Sequence, residues 1–169
     1  MKTCLALLAS LTVAAVPVQE LHHEYERAFD FSKYETFSWV PSEKIPLAAH
    51  APEISPQEAD AEIRSAIEKA LTAKGFRKVE NGSADFRVNY FGIVTSRLKV
   101  KKVPYSQSKT FSPRHFVREG KLTIDVVDGE QQILVWRGWS RTTVEARGEQ
   151  VREIIREVVQ KTLQPFPPK

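Results

Sequence analysis

Four histidines, His22, His23, His50 and His115, are the side chains of this chain best suited to metal binding or proton transfer. Two are adjacent, one lies in a proline-rich stretch and one among basic residues, so no pair has the helical spacing of a ligand set. The single cysteine, Cys4, adds no zinc-type partner. Neither a metal nor a cofactor is expected. Asp125 and Asp128 are close enough to suggest the paired carboxylates of a small hydrolase. Asp125, however, alternates outward between apolar neighbours, and Asp128 precedes Gly129 in a hairpin turn, so both have structural explanations. With no Gly-x-Ser-x-Gly elbow, P-loop or dinucleotide fingerprint, no catalytic or cofactor-binding residue is assigned, and the expectation is that the chain is not an enzyme.

Binding is better supported. Between Arg97 and Lys121 eight basic residues (Arg97, Lys99, Lys101, Lys102, Lys109, Arg114, Arg118 and Lys121) face one acid, Glu119, a charge of +7 over 25 residues. The stretch from Glu53 to Glu68 has five acids against Arg64, so a net charge of only +4 hides a polarised molecule. Such a basic segment suits an anionic membrane surface or lipopolysaccharide, although lysine and arginine also serve simply to solvate an edge strand. Trp136-Arg137-Gly138-Trp139 is the second candidate. On a strand, Leu134, Trp136 and Gly138 would share a core face, with Gly138 letting a helix approach. Val135, Arg137, Trp139 and Arg141 would share the other, leaving Trp139 between two arginines as a partner anchor or a surface stack. The candidate interaction residues are therefore Arg97, Lys99, Lys101, Lys102, Arg114, Arg118, Arg137, Trp139 and Arg141.

The elements that must position them follow from periodicity. Thr36 to Val40 alternates as a strand, and four prolines make residues 41 to 56 a loop. Ser55-Pro56-Gln57-Glu58 is a capping box that opens a helix running to about Lys74, ahead of Gly75. After a turn at Asn81-Gly82, Phe86, Val88 and Tyr90 mark a strand; Gly92 suggests a bulge or turn before a second run, Thr95 to Val103. Residues 104 to 116 read as loop, Lys121 to Val126 and Ile133 to Val144 as a hairpin joined at Asp128-Gly129, and Val151 to Leu163 as a helix stopped by Pro165 before a stiff tail. Strand, helix, four strands, helix is an α+β order. Each helix has one apolar stripe, so the expected architecture is a two-layer sandwich: a single mixed, mostly antiparallel sheet of about five strands with two helices on one face.

Ahead of this lies an address. Leu5 to Val18 is an uncharged run of 14 residues behind Met1-Lys2, shorter than the roughly 20 residues a membrane-spanning helix takes. Residues 1 to 15 are expected to be a signal peptide cleaved near Ala15, leaving one domain over residues 20 to 168 with no transmembrane segment and a periplasmic or secreted location. Cys4 precedes the apolar run, so it cannot become the acylated first residue of a lipoprotein, and a lipid anchor is not expected.

The segments Asp30-Phe31-Ser32-Lys33-Tyr34-Glu35-Thr36-Phe37-Ser38-Trp39, Ala73-Lys74-Gly75-Phe76, Glu119-Gly120-Lys121-Leu122, Leu134 to Trp139 and Phe166-Pro167-Pro168 together resemble domain of unknown function 4136. That resemblance implies a bacterial envelope protein with an α+β domain, many members being lipoproteins, and supplies no activity or ligand. The expected function is a non-catalytic interaction or scaffold module contacting an envelope protein or an anionic membrane surface. The alternatives are a binder or carrier of an anionic amphiphile and, third, a small hydrolase. Export and the lack of an aromatic-interleaved basic motif argue against nucleic acid.

Overall fold

Ser55 starts the first helix in the way its spacing predicts. Its hydroxyl accepts from the Glu58 amide at 3.2 Å while the Glu58 carboxylate accepts from the Ser55 amide at 3.0 Å, satisfying two amide donors of the first turn. The computed structural model describes residues 18–41, 47–49, 54–80, 83–100, 114–144 and 149–168. Residues 1–15, expected to be a signal peptide, His50, the expected turn at Asn81-Gly82, Lys101, Lys102 and Lys109 lie outside them.

In chain order the elements are β1 (Val18–Tyr25), a 3-10 turn (Phe31–Lys33), β2 (Thr36–Trp39), β3 (Leu47–Ala49), α1 (Pro56–Ala73), β4 (Arg77–Lys78), β5 (Phe86–Val100), β6 (Arg114–Asp128), β7 (Leu134–Val144) and α2 (Glu149–Leu163). One seven-stranded sheet runs β1-β7-β6-β5-β2-β4, with β3 also beside β5. β2, β3 and β4 make the parallel pairings and the rest are antiparallel. This is the expected α+β class and mixed sheet, with more strands than the five expected. The additions are short or polar: β1 reads Val-Gln-Glu-Leu-His-His-Glu-Tyr, β3 falls in the stretch expected to be loop, and β4 has two residues.

Gly92 marks no bulge. β5 pairs with β6 in one unbroken register from Phe86↔Asp128 to Val100↔Arg114, so the two expected runs are one strand of 15 residues, and 114–116 are strand rather than loop. β7 and β3 accompany the pair only part of the way, so Arg97 and Lys99 of β5 and Arg114 of β6 lie on a two-stranded extension among the described residues.

Both helices lie on one face. Ala59, Ile63, Ala66, Ile67 and Leu71 of α1 and Val151, Val158, Val159 and Leu163 of α2 are buried at helical intervals against the sheet. Glu58–Arg152 and Glu62–Arg156 ion pairs, 3.4 and 2.6 Å, step along the two helices in the same direction, so the helices run parallel with their N-termini at one end. At the other end the core is aromatic. Phe86 has Tyr34, Phe37, Phe76 and Phe166 within 4.9 to 5.9 Å between ring centroids, and Phe166 also meets Trp136 at 5.3 Å. The closing segment is therefore a core plug, not a free tail. Gly138 serves the same cluster: a Cβ there would strike the Trp136 indole, so glycine makes room for Trp136 rather than for a helix.

Asp85 locks β2 to β5, accepting from the Thr36 hydroxyl (2.7 Å) and from the Thr36 and Glu35 amides (2.7 and 3.0 Å). The Thr36 hydroxyl above all, then the two amides, hold its carboxyl below the ordinary value despite some desolvation. A depressed folded value adds stability above the unfolded value, near pH 4, and loses it as pH falls through the folded one. Asp85→Asn should flatten the acid limb of a urea-midpoint against pH profile below about pH 4; an unchanged limb would refute the assignment. Phe166→Ala should lower unfolding free energy by about 3–5 kcal/mol in urea titration, the range for deleting a buried phenylalanine.

Candidate functional site

The face of the sheet opposite the helices is uncovered by any described element, and antiparallel pairing fixes which side chains share it. Trp139 of β7 lies between His22 of β1 and Thr123 of β6, with Phe91 of β5 beyond. The His22 imidazole stacks on the indole, 4.4 Å between centroids and 19° between planes, and the Lys121 ammonium sits over the ring at 5.1 Å. On one side of this row Arg137 grips Asp125 through two bonds, Nε to Oδ1 at 2.6 Å and Nη2 to Oδ2 at 2.7 Å. On the other, Arg141 binds Glu20 at 3.2 Å.

That pairing decides the electrostatics. Hydrogen bonding to Asp125 raises the Arg137 pKa, with its charge and that of Glu24 adding to the effect against some desolvation. Glu20, Glu24 and Asp125 match Lys121, Arg137 and Arg141 in number, so the row around Trp139 has no net charge. Exposed apolar side chains remain: Phe91 is 48% and Ile93 46% accessible, adjacent on one strand and facing the same way.

The expected site residues thus separate. Arg137, Trp139 and Arg141 come together on the open face, as the alternation on β7 predicts. Leu134 and Val135 do not follow it: the register shifts between Val126 and Val127 opposite them, so Val135 is buried and Leu134 is half-exposed. Arg118 pairs with Val144, on the helix-facing side of β6, away from Trp139. Arg97, Lys99 and Arg114 are placed along the two-stranded extension, and Lys101 and Lys102 lie outside the described residues. Sequence reasoning missed Phe91 and Ile93, whose signal is their parity, opposite to the buried Phe86, Val88 and Tyr90 once the strand is read as continuous. It also missed His22, Glu20 and Asp125 as partners of the Trp139 row.

Asp128 is not part of this face's chemistry. It is buried, and desolvation opposes its ionisation, yet the Gln131 amide, the Tyr34 hydroxyl (2.9 Å), Lys33 and the Glu130 amide outweigh that and lower its pKa, which is the work of a turn cap. Among the described residues no three His, Cys, Asp or Glu side chains converge as a metal cage, and no described helix is long and apolar enough to cross a membrane.

A family model for a domain of unknown function, DUF4136, matches residues 21–168. The chain belongs to that family. A DUF4136 family protein from Bacteroides thetaiotaomicron superposes with a TM-score of 0.56 at 15% identity, over 88% of this chain and 95% of that one. A PDZ domain protein from Parabacteroides distasonis gives 0.55 at 15% identity over 88% of this chain, which spans only 35% of that protein. PelC from Paraburkholderia phytofirmans, a dodecamer, gives 0.51 at 13% identity, with 89% and 99% covered. At these identities the likeness is one of fold. No curated protein matches the sequence.

Because Asp125 is nearly buried, removing its partner leaves a carboxylate short of donors. Arg137→Ala should cost about 1–3 kcal/mol in chemical denaturation. Adding Asp125→Ala should recover part of that cost; strictly additive losses would show that the pair is not coupled.

Proposed function

We propose that this DUF4136 chain is an exported, non-catalytic interaction module that binds another envelope protein through the open sheet face. The observation that carries the reading is the half-exposed Phe91 and Ile93 pair beside a charge-neutral row centred on Trp139. Arg137 and Arg141, expected to flank Trp139 on this face, are both paired with neighbouring carboxylates, Asp125 and Glu20. A neutral face with an apolar centre has little to hold it on an anionic bilayer, where attraction comes from unpaired lysine and arginine. The same composition, apolar and aromatic in the middle and paired charges around it, resembles a protein interface. The export reading rests on the apolar segment at residues 5–18. That a protein of similar fold, PelC, assembles as a dodecamer supports a surface used for assembly. The amphiphile-binding alternative rests on another part of the molecule, the end of the sandwich at the helix N-termini.

The test is photocrosslinking in intact envelopes with a benzophenone side chain at position 91, and at Glu153 on α2 as control. Position 91 should yield a discrete protein adduct absent from position 153, and Phe91→Lys with Ile93→Lys should prevent capture by a Trp139-region crosslinker while leaving thermal stability within a few degrees. Identical patterns at both positions, or lipid adducts alone, would overturn the reading.

A further inference from the structure

The two edges of the sheet are built differently. β4, at one end, is two residues long and both are basic, Arg77 and Lys78, which is how proteins keep an edge from recruiting another strand. β1, at the other end, has eight residues with neither lysine nor proline among them, and no described strand lies beyond it. Antiparallel pairing with β7 occupies the backbone groups on one side of β1 and leaves those on the other pointing outward. The one irregularity in that pairing falls between Val18 and Glu20, so residues 21 to 25 form a regular stretch. All five are exposed, on both faces of the strand. Leu21 and Tyr25, on the helix-facing side opposite Ser140 and Trp136, are 41% and 38% accessible. On the open side His22 lies opposite Trp139, and Glu24 lies opposite Arg137, whose guanidinium is held by Asp125.

We infer that β1 pairs antiparallel with β1 of a second copy of this chain, about a two-fold axis at His23, joining the two sheets edge to edge. An axis perpendicular to the sheet keeps both open faces on one side, and residues directly opposite in an antiparallel pair share a face. Only registers centred on a residue meet both conditions. A register centred on His22 sets Glu20 against the partner's Glu24, like charge against like. One centred on Leu21 draws in the irregular segment from Val18 to Glu20. Centred on His23, the pairing stays within the regular stretch. Leu21 then meets the partner's Tyr25, His22 meets the partner's Glu24, and the two-fold axis repeats each contact. Exposed apolar side chains cover one another on one face, and an imidazole N–H donates to a carboxylate on the other. The strand supplies both halves of every contact, which is what makes a second copy the partner it fits. Phe91 and Ile93 stay uncovered, so this pairing and the open-face reading can each fail alone.

The experiment is sedimentation velocity of the folded chain at about 100 μM, where a dimer is expected. Leu21→Lys and Glu24→Lys should each weaken dimerisation at least tenfold, with thermal stability within a few degrees because both side chains are exposed. Adding His22→Glu to Glu24→Lys reverses the opposed pair and should recover much of the dimer. Disulfide trapping in a Cys4→Ser background checks the register. His23→Cys should crosslink to itself under mild oxidation, and Leu21→Cys should crosslink to Tyr25→Cys when the two are mixed. Leu21→Cys alone should not, since its two copies lie about 13 Å apart along the strands, beyond the roughly 7 Å a disulfide can bridge. A monomer for the unaltered chain, a dimer indifferent to Leu21→Lys, or self-crosslinking of Leu21→Cys would overturn the proposal.

Discussion

Each helix of this protein has one apolar stripe, and two such helices can dry only one side of a seven-stranded sheet. Most of what is distinctive in the molecule follows from that. The covered side collects Phe37, Phe86, Val88, Tyr90, Ile124, Val126 and Trp136, all essentially inaccessible. Phe166, reaching back from the far end of the chain, closes the aromatic end of this core. The other side must remain compatible with water, or with a partner, along strands whose every second residue points into it.

The solution on that side is local neutralisation. Arg137 and Asp125 face each other on adjacent strands, as do Arg141 and Glu20, and the indole of Trp139 is sandwiched between an imidazole and an ammonium. Charge is thereby present without accumulating, and the apolar pair on β5 is framed rather than hidden. Three of the basic residues between 97 and 121, Arg97, Lys99 and Arg114, are displaced from this row onto the extension of β5 and β6 beyond β7.

The covered side is not uniform along its length. At one end large rings fill the interlayer space; at the other, a cavity of about 90 Å³ lies under the helix N-termini, with Gly92 and Gly120 among its lining residues. The asymmetry gives the fold two surfaces of different character, one apolar and concave, one flat and charge-balanced.

Several features were legible in the sequence because the interactions behind them span only a few residues. Ser55 and Glu58 cap a helix three positions apart, Asp128 turns a hairpin over four, and the apolar stripes of both helices repeat within two turns. The α+β class and the open-face position of Trp139 follow from those periods alone. The partners did not. Glu20 meets Arg141 across 121 positions and Tyr34 meets Asp128 across 94, and whether an arginine is free or spent depends on which strand lies beside it. The same holds for Phe166, which reads as a tail until the sheet gives it rings to pack on, and for Gly92, which reads as a break until β6 shows the ladder running straight through. Local hydrogen bonding and periodicity are properties of the chain, whereas register is a property of the folded sheet; the first determined the elements and their faces, and only the second decided what those faces present.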